Sequence, residues 1–400
     1  MNSETISCPA CSSNSFDQLI DFGKVPRSGV FLSRADEAVA TIHLSFEYCT
    51  HCALLRQRAY DENRHDYTRV SRGTTRQLPA YAFHLADSLQ LEGIEPSGLI
   101  IEVGANDGAF MDLLVKAGFT NILGIEPSHA CAKASIEKGH RIEITHLDEN
   151  VAAALRERYG GARAIICRHT LEHVPDPSGF LAAMKTLLSA GGLLFIEIPN
   201  AQAILHDFRG HELWDEHLHI LTPENLTLLV RRAGFNVTNT LVWPHCGTTN
   251  ILLWARVERQ QIDPTVFTVD CPKDLDLCRQ FERRWHSFCD RTTARLLESP
   301  KPIAAIGASH PQSNYLLFTR LGDYIAYLVD DDPAKAGHYV PIPDPTPVIS
   351  TAQLFEGEPP ASVIRTAFGY EDWMDRMLAP FVTRNVRVVR PYETSFLFSL

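Results

Sequence analysis

The stretch Ile100-Ile101-Glu102-Val103-Gly104-Ala105-Asn106-Asp107-Gly108-Ala109-Phe110 decides the fold of this 400-residue chain. It is followed by Gly124-Ile125-Glu126-Pro127, and a helix-like segment, 111–118, lies between the two. Two apolar runs that end in small or acidic residues and enclose a helix predict one βαβ unit. In such a unit the first turn and the end of the second strand hold a cofactor.

The charge of the first turn indicates which cofactor it holds. A dinucleotide site requires G-x-G-x-x-G, because the second glycine lets the backbone approach a pyrophosphate. Here Asn106 takes that position, and the neighbouring Asp107 would repel a phosphate. An acidic turn suits S-adenosylmethionine, which is positive at its sulfonium and amino groups. The alternative is an ordinary βα turn in a domain that holds no cofactor.

The end of the second strand supports the same cofactor. Glu126 lies about twenty residues beyond the turn, where a carboxylate accepts hydrogen bonds from the two ribose hydroxyls of an adenosine. The predicted S-adenosylmethionine site consists of the turn, this strand end and the end of a later strand: Glu102, Gly104, Ala105, Asn106, Asp107, Glu126, Pro127, Arg168 and His169.

Length and composition predict two or three domains, since a domain usually has ~100–200 residues and 45% of this chain is hydrophobic. The net charge of −11, without a long Lys/Arg run, disfavours nucleic acid or an anionic membrane as a partner. The N-terminus is polar, and no apolar run approaches the ~20 residues of a spanning helix. We therefore expect a cytoplasmic protein that acts on a small molecule, as a monomer or a homodimer.

Two C-x-x-C knuckles, Cys8-Pro9-Ala10-Cys11 and Cys49-Thr50-His51-Cys52, stand near the N-terminus. Four thiolates in this spacing are typical of a tetrahedral zinc site. Because four cysteines leave no open coordination position, we predict a structural Zn²⁺ whose ligands are Cys8, Cys11, Cys49 and Cys52. The alternative is a pair of turns with buried thiols. The other six cysteines show no ligand spacing and are interpreted as packing residues.

Strands and helices continue to alternate after Glu126. Apolar patterns predict strands at 141–145, 164–167 and 193–198, a turn at Gly191-Gly192, and helices at 78–91, 151–159, 180–188 and 223–233, the last closed by Gly234. Repeated βα units favour a mostly parallel sheet that is covered on both faces, with ligands beyond the carboxyl ends of its strands.

The polar segment 256–274 marks the boundary of a further domain, followed by a helix with Phe281, Trp285, Phe288 and Leu296 near one face. Beyond it, 302–309 and 327–332 repeat the strand, the small-residue turn and the acidic strand end. This predicts a second Rossmann-like unit, which either binds a nucleotide-shaped ligand or is purely structural.

Three polar clusters fall where strands of the central region end, at 168–176, 214–219 and 244–250. In the second cluster, His217 is the candidate general base, because Asp215 or Glu216 beside it could orient the imidazole and hold its tautomer. The alternative is a cation held by Asp215, His217 and His219, although methyl transfer from a sulfonium needs no Lewis acid.

Together these motifs resemble the three-domain sugar-nucleotide C-methyltransferases of deoxysugar pathways. The resemblance spans nearly the whole chain and rests on the two C-x-x-C knuckles, Glu102-Val103-Gly104-Ala105-Asn106-Asp107-Gly108, Gly124-Ile125-Glu126-Pro127-Ser128, Leu171-Glu172-His173-Val174-Pro175-Asp176, Glu216-His217 and Val329-Asp330-Asp331-Asp332-Pro333-x-Lys335-x-Gly337. It implies an α/β protein with a zinc-binding N-terminal domain (1–70), a class I methyltransferase Rossmann-like domain (71–258) and a Rossmann-like C-terminal substrate-binding domain (259–400).

The resemblance also implies active-site residues. The family's tyrosine-histidine-glutamate-histidine motif falls on Trp214, Asp215, Glu216 and His217, and only the last two agree. It implies that His217 is the base, Glu216 its polar neighbour and His173 a second active-site histidine. His245 stands where the family has a histidine, and Tyr67 lies near its N-terminal active-site tyrosine.

The reaction that the resemblance implies is S-adenosylmethionine-dependent methylation of the carbon next to the keto group of a nucleoside-diphosphate-linked 4-keto-deoxy sugar. Because carbon is a poor nucleophile, His217 would remove the α-proton, and His173 or His245 would stabilise the enolate. Two alternatives stay open: O- or N-methylation of a small metabolite, and a non-catalytic binding module.

Overall fold

The structure is a computed structural model, and it describes residues 7–58, 80–245, 248–257, 271–367, 371–382 and 385–390. In chain order its first elements are β1 (Phe16–Pro26), β2 (Thr41–Cys49), β3 (Leu55–Gln57), α1 (Ala80–Leu91), β4 (Ile100–Val103), α2 (Ala109–Lys116) and β5 (Ile122–Ile125). The βαβ unit predicted from the opening stretch is confirmed as β4, α2 and β5.

The middle of the chain continues this alternation. Its elements are α3 (His129–Glu137), β6 (Ile142–Glu143), α4 (Glu149–Tyr159), β7 (Ala162–Arg168), α5 (Pro177–Leu187), β8 (Leu188–Pro199), α6 (Ala201–His206), β9 (His219–Ile220), α7 (Pro223–Arg232), β10 (Phe235–His245) and β11 (Thr248–Val257). Short 3-10 turns lie at Leu171–His173 and Gly210–Glu212.

A seven-stranded sheet in the order β10-β11-β8-β7-β4-β5-β6 forms the centre of the molecule. The strands β8, β7, β4, β5 and β6 are parallel, and β11 runs antiparallel to both of its neighbours. The chain winds outward from β4 in both directions, to β5 on one side and to β7 on the other. The crevice between the carboxyl ends of β4 and β7 is therefore the topological switch point, where such sheets bind ligands.

Both faces of this sheet are covered, as predicted. Ile101 and Ile165 point into one apolar core, which α4, α5 and α7 complete, and Ile100 and Ile166 point into the other, which α1 and α2 complete. Adjacent residues of a strand face opposite sides, so these short runs are apolar throughout.

Local signals explain where the helices begin and end. Side-chain oxygens of Ser128, Asp148, Asp176 and Thr222 accept hydrogen bonds from backbone N–H groups in the first turns of α3, α4, α5 and α7. The predicted closing residue of α7, Gly234, has φ +82°, which is the left-handed conformation of a C-terminal cap.

The turn predicted at Gly191-Gly192 is wrong as a separator between two elements, because β8 spans it. Along β7, the partner of Ala162 is Leu188 whereas the partner of Ala164 is already Leu193. The glycines therefore sit in a bulge of one continuous strand, and an isolated glycine pattern does not distinguish a bulge from a turn.

Two further sheets flank the central one. A four-stranded antiparallel sheet has the order β1-β2-β3-β9, so its last strand comes from the central region of the chain. Its apolar side packs on α6 and on α8 (Pro272–Leu297) through Phe46, Phe281 and Trp285. The pairing of β3 with β9 holds the segment just before β9 against the N-terminal lobe, residues 7–58.

The C-terminal region consists of α8 (Pro272–Leu297), β12 (Ile303–Ile306), α9 (His310–Phe318), β13 (Ile325–Val329), β14 (Tyr339–Pro341), β15 (Pro345–Ile349), α10 (Thr351–Glu356), β16 (Ser362–Arg365), α11 (Glu371–Val382) and β17 (Arg387–Val389). Its sheet has the order β14-β15-β13-β12-β16-β17, and only β14 is antiparallel. The predicted strand–helix–strand repeat corresponds to β12, α9 and β13.

The predicted domain boundaries, after residues 70 and 258, lie outside the described residues and stay predictions. Among the helices that the structure describes, none is both long and apolar enough to cross a membrane.

Candidate active site

The first turn of the central sheet is tightly constrained. Gly104 has φ +76°, and a Cβ atom there would lie 2.1 Å from Thr170 Oγ1, so only glycine fits. Asn106 also has a positive φ, 49°, and its N–H donates to Glu126 Oε2 at 2.8 Å. The predicted strand-end carboxylate therefore holds the predicted turn in place. A second N–H, from Ser128, donates to Glu126 Oε1 at 2.8 Å.

The carboxylates around this turn have different environments. Glu102 is 3% exposed, burial raises its pKa to about 8, and Oε2 has no hydrogen-bond partner among the described residues. Asp107 Oδ1 instead accepts from Ala109 N, at the start of α2, and Oδ2 lies 3.2 Å from Lys138 Nζ. Among the described residues, the buried acceptor without a hydrogen-bond partner is thus Oε2 of Glu102, whereas both carboxylate oxygens of Asp107 have partners that hold the turn.

The end of β7 carries the other predicted cofactor residues, Arg168 and His169. Both contact Glu197, a fully buried carboxylate on β8: Arg168 Nε donates to Oε2 at 2.7 Å, and His169 Nε2 lies 3.0 Å from Oε1. Asn250 Nδ2 donates to Oε1 at 2.7 Å, and the Tyr81 hydroxyl also donates to Oε1. Burial raises the pKa of Glu197 to about 8, although the hydrogen bond from Asn250 acts in the opposite direction because it favours the ionised form.

Beyond His169, the 3-10 turn places Glu172 and His173 beside the second predicted cluster. The rings of His173 and His217 have their centroids 5.0 Å apart. A carboxylate oxygen of Glu172 and one nitrogen of each ring lie within 4.8 Å of one another. Glu172 is 1% exposed, and neither of its carboxylate oxygens makes a hydrogen bond to a described residue, although Oε1 lies 3.5 Å from His169 Nδ1.

The sequence suggested that Asp215 or Glu216 orients His217, but the hydrogen bond to its Nδ1 comes from the indole N–H of Trp214, at 2.6 Å. The contributions of the two acidic residues are different. Asp215 Oδ1 accepts from Ser28 N at 3.1 Å, and the backbone carbonyl of Glu216 lies 2.7 Å from His173 Nδ1. Local sequence cannot show this, because adjacency in the chain does not fix which group faces Nδ1 of His217.

His219, the alternative cation ligand, is buried, and its Nδ1 lies 3.2 Å from the carbonyl of Val174. Burial lowers the pKa of His219 to about 4. It is the first residue of β9, where it pairs with Arg56. Of the predicted trio, His217 alone belongs to the group of possible metal ligands, together with Glu172 and His173.

Two predicted residues cannot be placed. Tyr67 lies outside the described residues, and of His245 only the backbone, at the end of β10, is described.

Sequence reasoning missed the residues that hold the loop 214–218, which contains Trp214 and His217. Gln57, at the end of β3, is buried, and its Nε2 donates to the carbonyls of Trp214 (3.2 Å), Asp215 (2.8 Å) and His217 (3.3 Å). On the other side of the loop, the His310 ring of α9 packs on Trp214 with centroids 4.9 Å apart. Neither residue belongs to a motif, and only the tertiary fold brings them to the loop.

The four predicted zinc ligands form a compact cluster. Cys8 Sγ lies 3.6 Å from Cys52 Sγ, and Cys11 Sγ lies 3.5 Å from Cys49 Sγ, with all four thiols free of disulfide bonds. The two knuckles have the same backbone geometry, since Ser12 N donates to the Cys8 carbonyl (2.8 Å) and Ala53 N to the Cys49 carbonyl (2.9 Å). Sulfurs of a tetrahedral zinc site with bonds of ~2.3 Å are about 3.8 Å apart, so the spacing fits the metal.

Comparison with known proteins identifies the central region. Residues 74–240 match the family model described as a methyltransferase domain. Of the curated relatives, C-methyltransferase NovU of Streptomyces niveus is 24% identical over 239 residues, which cover 58% of this chain and 56% of NovU. A ubiquinone biosynthesis O-methyltransferase of Colwellia psychrerythraea (strain 34H / ATCC BAA-681) is 33% identical over 126 residues, 29% of this chain and 49% of that protein.

The chain thus spans about half the length of these curated relatives. Among solved structures, magnesium protoporphyrin IX methyltransferase from Synechocystis PCC 6803 with bound SAM is similar at a TM-score of 0.35 and 15% identity, over 44% of this chain and 78% of that one. The NovU match confirms the resemblance to C-methyltransferases. The domain match and the strand order identify the central sheet as a class I methyltransferase Rossmann-like fold.

Proposed function

Because residues 74–240 match a methyltransferase domain, we propose that the protein is an S-adenosylmethionine-dependent C-methyltransferase that acts on the carbon next to a ketone. One observation carries this proposal: a pair of histidines, His173 and His217, lies near the buried carboxylate of Glu172. His173 follows β7, the strand next to β4, which leads into the predicted cofactor turn. Carbon must lose a proton before it can attack a methyl group, and an imidazole pair can manage that proton.

The turn fits the cofactor that the family implies. The unpartnered Oε2 of Glu102 is an acceptor for the cofactor's ammonium group, and Glu126 has acceptor positions left for ribose hydroxyls beyond its two backbone hydrogen bonds. The absence of a side chain at Gly104 lets the turn pack against Thr170. When bound, S-adenosylmethionine supplies an electrophilic methyl group on a positively charged sulfur.

We propose a nucleoside-diphosphate-linked 4-keto-deoxy sugar as the acceptor. This step rests on the motifs shared with sugar-nucleotide C-methyltransferases and on the similarity to NovU. The loop around Trp214, Asp215 and Glu216 would line the acceptor side of the crevice. Tyr67 and the side chain of His245 lie outside the described residues and stay predictions. Since Trp214 and Asp215 depart from the family's motif, the sugar itself must be found by experiment.

We also propose that Cys8, Cys11, Cys49 and Cys52 bind a structural Zn²⁺. The sulfur spacing supports it, and four thiolate ligands complete a tetrahedral shell. The knuckles join the core of the central region, and Arg232 of α7 donates to the Ala10 carbonyl at 2.9 Å. The metal would therefore stabilise both the lobe and its contact with the methyltransferase fold.

The test is incubation of the purified protein with S-adenosylmethionine and a panel of 4-keto-deoxy nucleotide sugars. The expected product is heavier by one CH₂ group and has lost one α-hydrogen, which substrate deuterated at that carbon reveals by mass spectrometry. A matched control is Glu126→Gln, which weakens cofactor binding without touching the histidine pair. No product with any ketone, by a protein that binds the cofactor in calorimetry, would refute the acceptor class.

A second candidate is O-methylation of a small metabolite, which the 33% identity to a ubiquinone biosynthesis O-methyltransferase favours. An oxygen acceptor already carries a lone pair, so its product retains the α-hydrogen. The same deuterated substrates distinguish the two reactions. A protein that binds no S-adenosylmethionine at all would instead be a non-catalytic module.

A further inference from the structure

The hydrogen bonds of the two active-site histidines require different tautomers. Nδ1 of His173 lies 2.7 Å from the backbone carbonyl oxygen of Glu216. A carbonyl oxygen only accepts, so Nδ1 carries the proton of the neutral ring. The lone pair of His173 is therefore on Nε2, where it can take a proton.

His217 has the opposite arrangement. The indole N–H of Trp214 only donates, and it lies 2.6 Å from Nδ1 of His217, so Nδ1 is the acceptor. The proton of the neutral His217 ring is consequently on Nε2. A second proton on Nδ1 would bring two N–H groups face to face. In this arrangement His217 donates a hydrogen bond and has no free lone pair with which to act as a base.

The electrostatic surroundings agree with a neutral His217. Burial lowers its pKa well below the usual value, and the neighbouring imidazoles of His173, His169 and His310 act in the same direction. His173 is only partly buried, and the carboxylate of Glu172 lies near its ring as well as near that of His217. A carboxylate within 4.8 Å of its ring stabilises the imidazolium that forms when His173 takes a proton.

We propose that His173 is the catalytic base, and that His217 donates its Nε2–H to the ketone oxygen as an enolate develops there. Trp214 is the positioning residue that fixes this assignment, which differs from the base implied by family resemblance. The inference rests on the proposed function, because it divides two roles within the same reaction. It also gives a physical meaning to the tryptophan that replaces the family's tyrosine, since a hydroxyl both donates and accepts whereas an indole N–H only donates.

The proposed step balances in protons and electrons. The Nε2 lone pair of His173 takes the α-proton, the C–H electron pair forms the carbon–carbon double bond of the enolate, and the carbonyl π pair moves to oxygen. The enolate carbon then forms a bond to the methyl group, the ketone re-forms, and the sulfur–methyl pair stays on sulfur. His173 releases the proton to water after the product leaves.

Glu172, His173 and His217 together offer the ligand atoms of a cation site, but the hydrogen bond from Trp214 to His217 opposes that use. A histidine that binds a metal through Nε2 normally keeps its proton on Nδ1, and here Nδ1 accepts a hydrogen bond. Ligation would require loss of the Trp214 contact or an imidazolate ring. We therefore assign hydrogen bonding and proton transfer to this trio.

The first test needs no substrate. The full-length protein, labelled with ¹⁵N-histidine, is studied by long-range ¹H–¹⁵N correlation, with signals assigned from His173→Asn and His217→Asn. The expected spectrum shows His173 protonated on Nδ1 and His217 on Nε2. Trp214→Phe should change the tautomer balance of His217 and leave His173 unchanged. A wild-type His217 protonated on Nδ1 would overturn the proposal.

The second test follows exchange of the substrate α-hydrogen in deuterated water, with S-adenosylhomocysteine in place of the methyl donor. His173→Asn keeps an N–H near the Nδ1 position but lacks Nε2, and it should lose ~10²–10⁴-fold in exchange rate. His217→Gln keeps an N–H near the Nε2 position and should retain exchange within ~10-fold, whereas His217→Asn, which lacks that donor, should lose ~10²-fold or more. Unchanged circular dichroism confirms that each variant folds.

The outcomes separate this inference from the proposed function. Wild-type exchange that survives His173→Asn and is abolished by His217→Gln refutes the base assignment alone. A wild-type protein that exchanges the α-hydrogen of no ketone refutes the proposed function and the base assignment together. The tautomers measured without substrate then still show whether Trp214 fixes the tautomer of His217.

Discussion

Gly104→Ala tests whether the cofactor turn is set by the contact with Thr170. Two costs follow from the structure. Alanine at φ +76° costs about 1–2 kcal/mol, because its Cβ crowds the neighbouring carbonyl in the left-handed region. The Cβ would also lie 2.1 Å from Thr170 Oγ1, and such overpacking costs about 1–3 kcal/mol more. We expect a loss of ~2–5 kcal/mol in the free energy of unfolding.

Two matched variants separate these costs. Gly139→Ala has a similar φ, +92°, and nothing within 4 Å of its Cβ, so it should lose only ~1–2 kcal/mol. Thr170→Ala removes a hydroxyl that donates to backbone carbonyls of Arg168 (3.0 Å) and Val103 (3.3 Å), at a cost of about 0.5–1.5 kcal/mol. The double variant Gly104→Ala/Thr170→Ala should be more stable than additivity predicts, by ~1–3 kcal/mol.

The assay is urea denaturation of all four variants, with the affinity for S-adenosylmethionine measured by calorimetry on the same samples. Gly104→Ala should weaken the binding of S-adenosylmethionine by ~10-fold or more, because the turn must move to make room for the alanine side chain. Gly139→Ala should leave this affinity unchanged. Equal losses for Gly104→Ala and Gly139→Ala, or strict additivity with Thr170→Ala, would refute the argument.

Three further perturbations follow from the contacts. Burial raises the pKa of the Glu102 carboxyl to about 8, above its usual 4.5. Between these two pH values the folded state binds one more proton than the unfolded state, so the free energy of unfolding falls as the pH rises, by up to ~1.4 kcal/mol per pH unit. Glu102→Gln should remove the contribution of Glu102 to this slope in urea titrations and leave that of Glu197, whose pKa burial also raises to about 8. Calorimetry in several buffers should detect release of up to about one proton when S-adenosylmethionine binds to the wild type near pH 7 but not to the variant. Gln57→Leu leaves the carbonyls of the loop 214–218 without their buried donor and should lower kcat by ~10-fold or more. The control Gln90→Leu removes one exposed amide–carbonyl hydrogen bond to Ala117 and should leave kcat unchanged. Equal kcat values for the two variants would contradict the role given to the loop contacts. Cys52→Ser should abolish zinc binding in elemental analysis and make the N-terminal lobe sensitive to protease, and Cys131→Ser, a buried thiol outside the cluster, should keep the metal.

Local sequence was sufficient for the parts of the fold that local physics controls. The turn at Gly104 and the strand end at Glu126 could be predicted because a positive φ needs glycine, and a parallel strand pair brings both ends to one edge. The closing glycine of α7 was predicted for the same reason. The cysteine knuckles were recognisable because ligand spacing is a local property, and the sulfurs do meet.

The remaining site residues could not be predicted, because their partners are far away in the chain. Glu197 and Asn250 lie on neighbouring antiparallel strands, and neither belongs to a motif. Tyr81 reaches Glu197 from a helix more than a hundred residues earlier. Even Trp214, adjacent in sequence to the acidic pair, was interpreted only as a departure from a family motif. Its effect on His217 depends on which nitrogen the indole faces, and that is a property of the folded loop.

Among the residues that the structure describes, the N-terminal lobe (7–58) supports the proposed active site through its contacts with the loop 214–218. The loop 214–218 ends where β9 pairs with β3, and Gln57 of β3 donates to three of the loop's carbonyls. The tautomers of both histidines depend on this loop, since Trp214 and the Glu216 carbonyl are their partners. A metal bound by the four cysteines would therefore also stabilise the proton positions that the proposed methyl transfer requires. Loss of zinc should lower methyl transfer even though four thiolates leave the ion no position for substrate, and it should do so by releasing the loop rather than by weakening the cofactor turn.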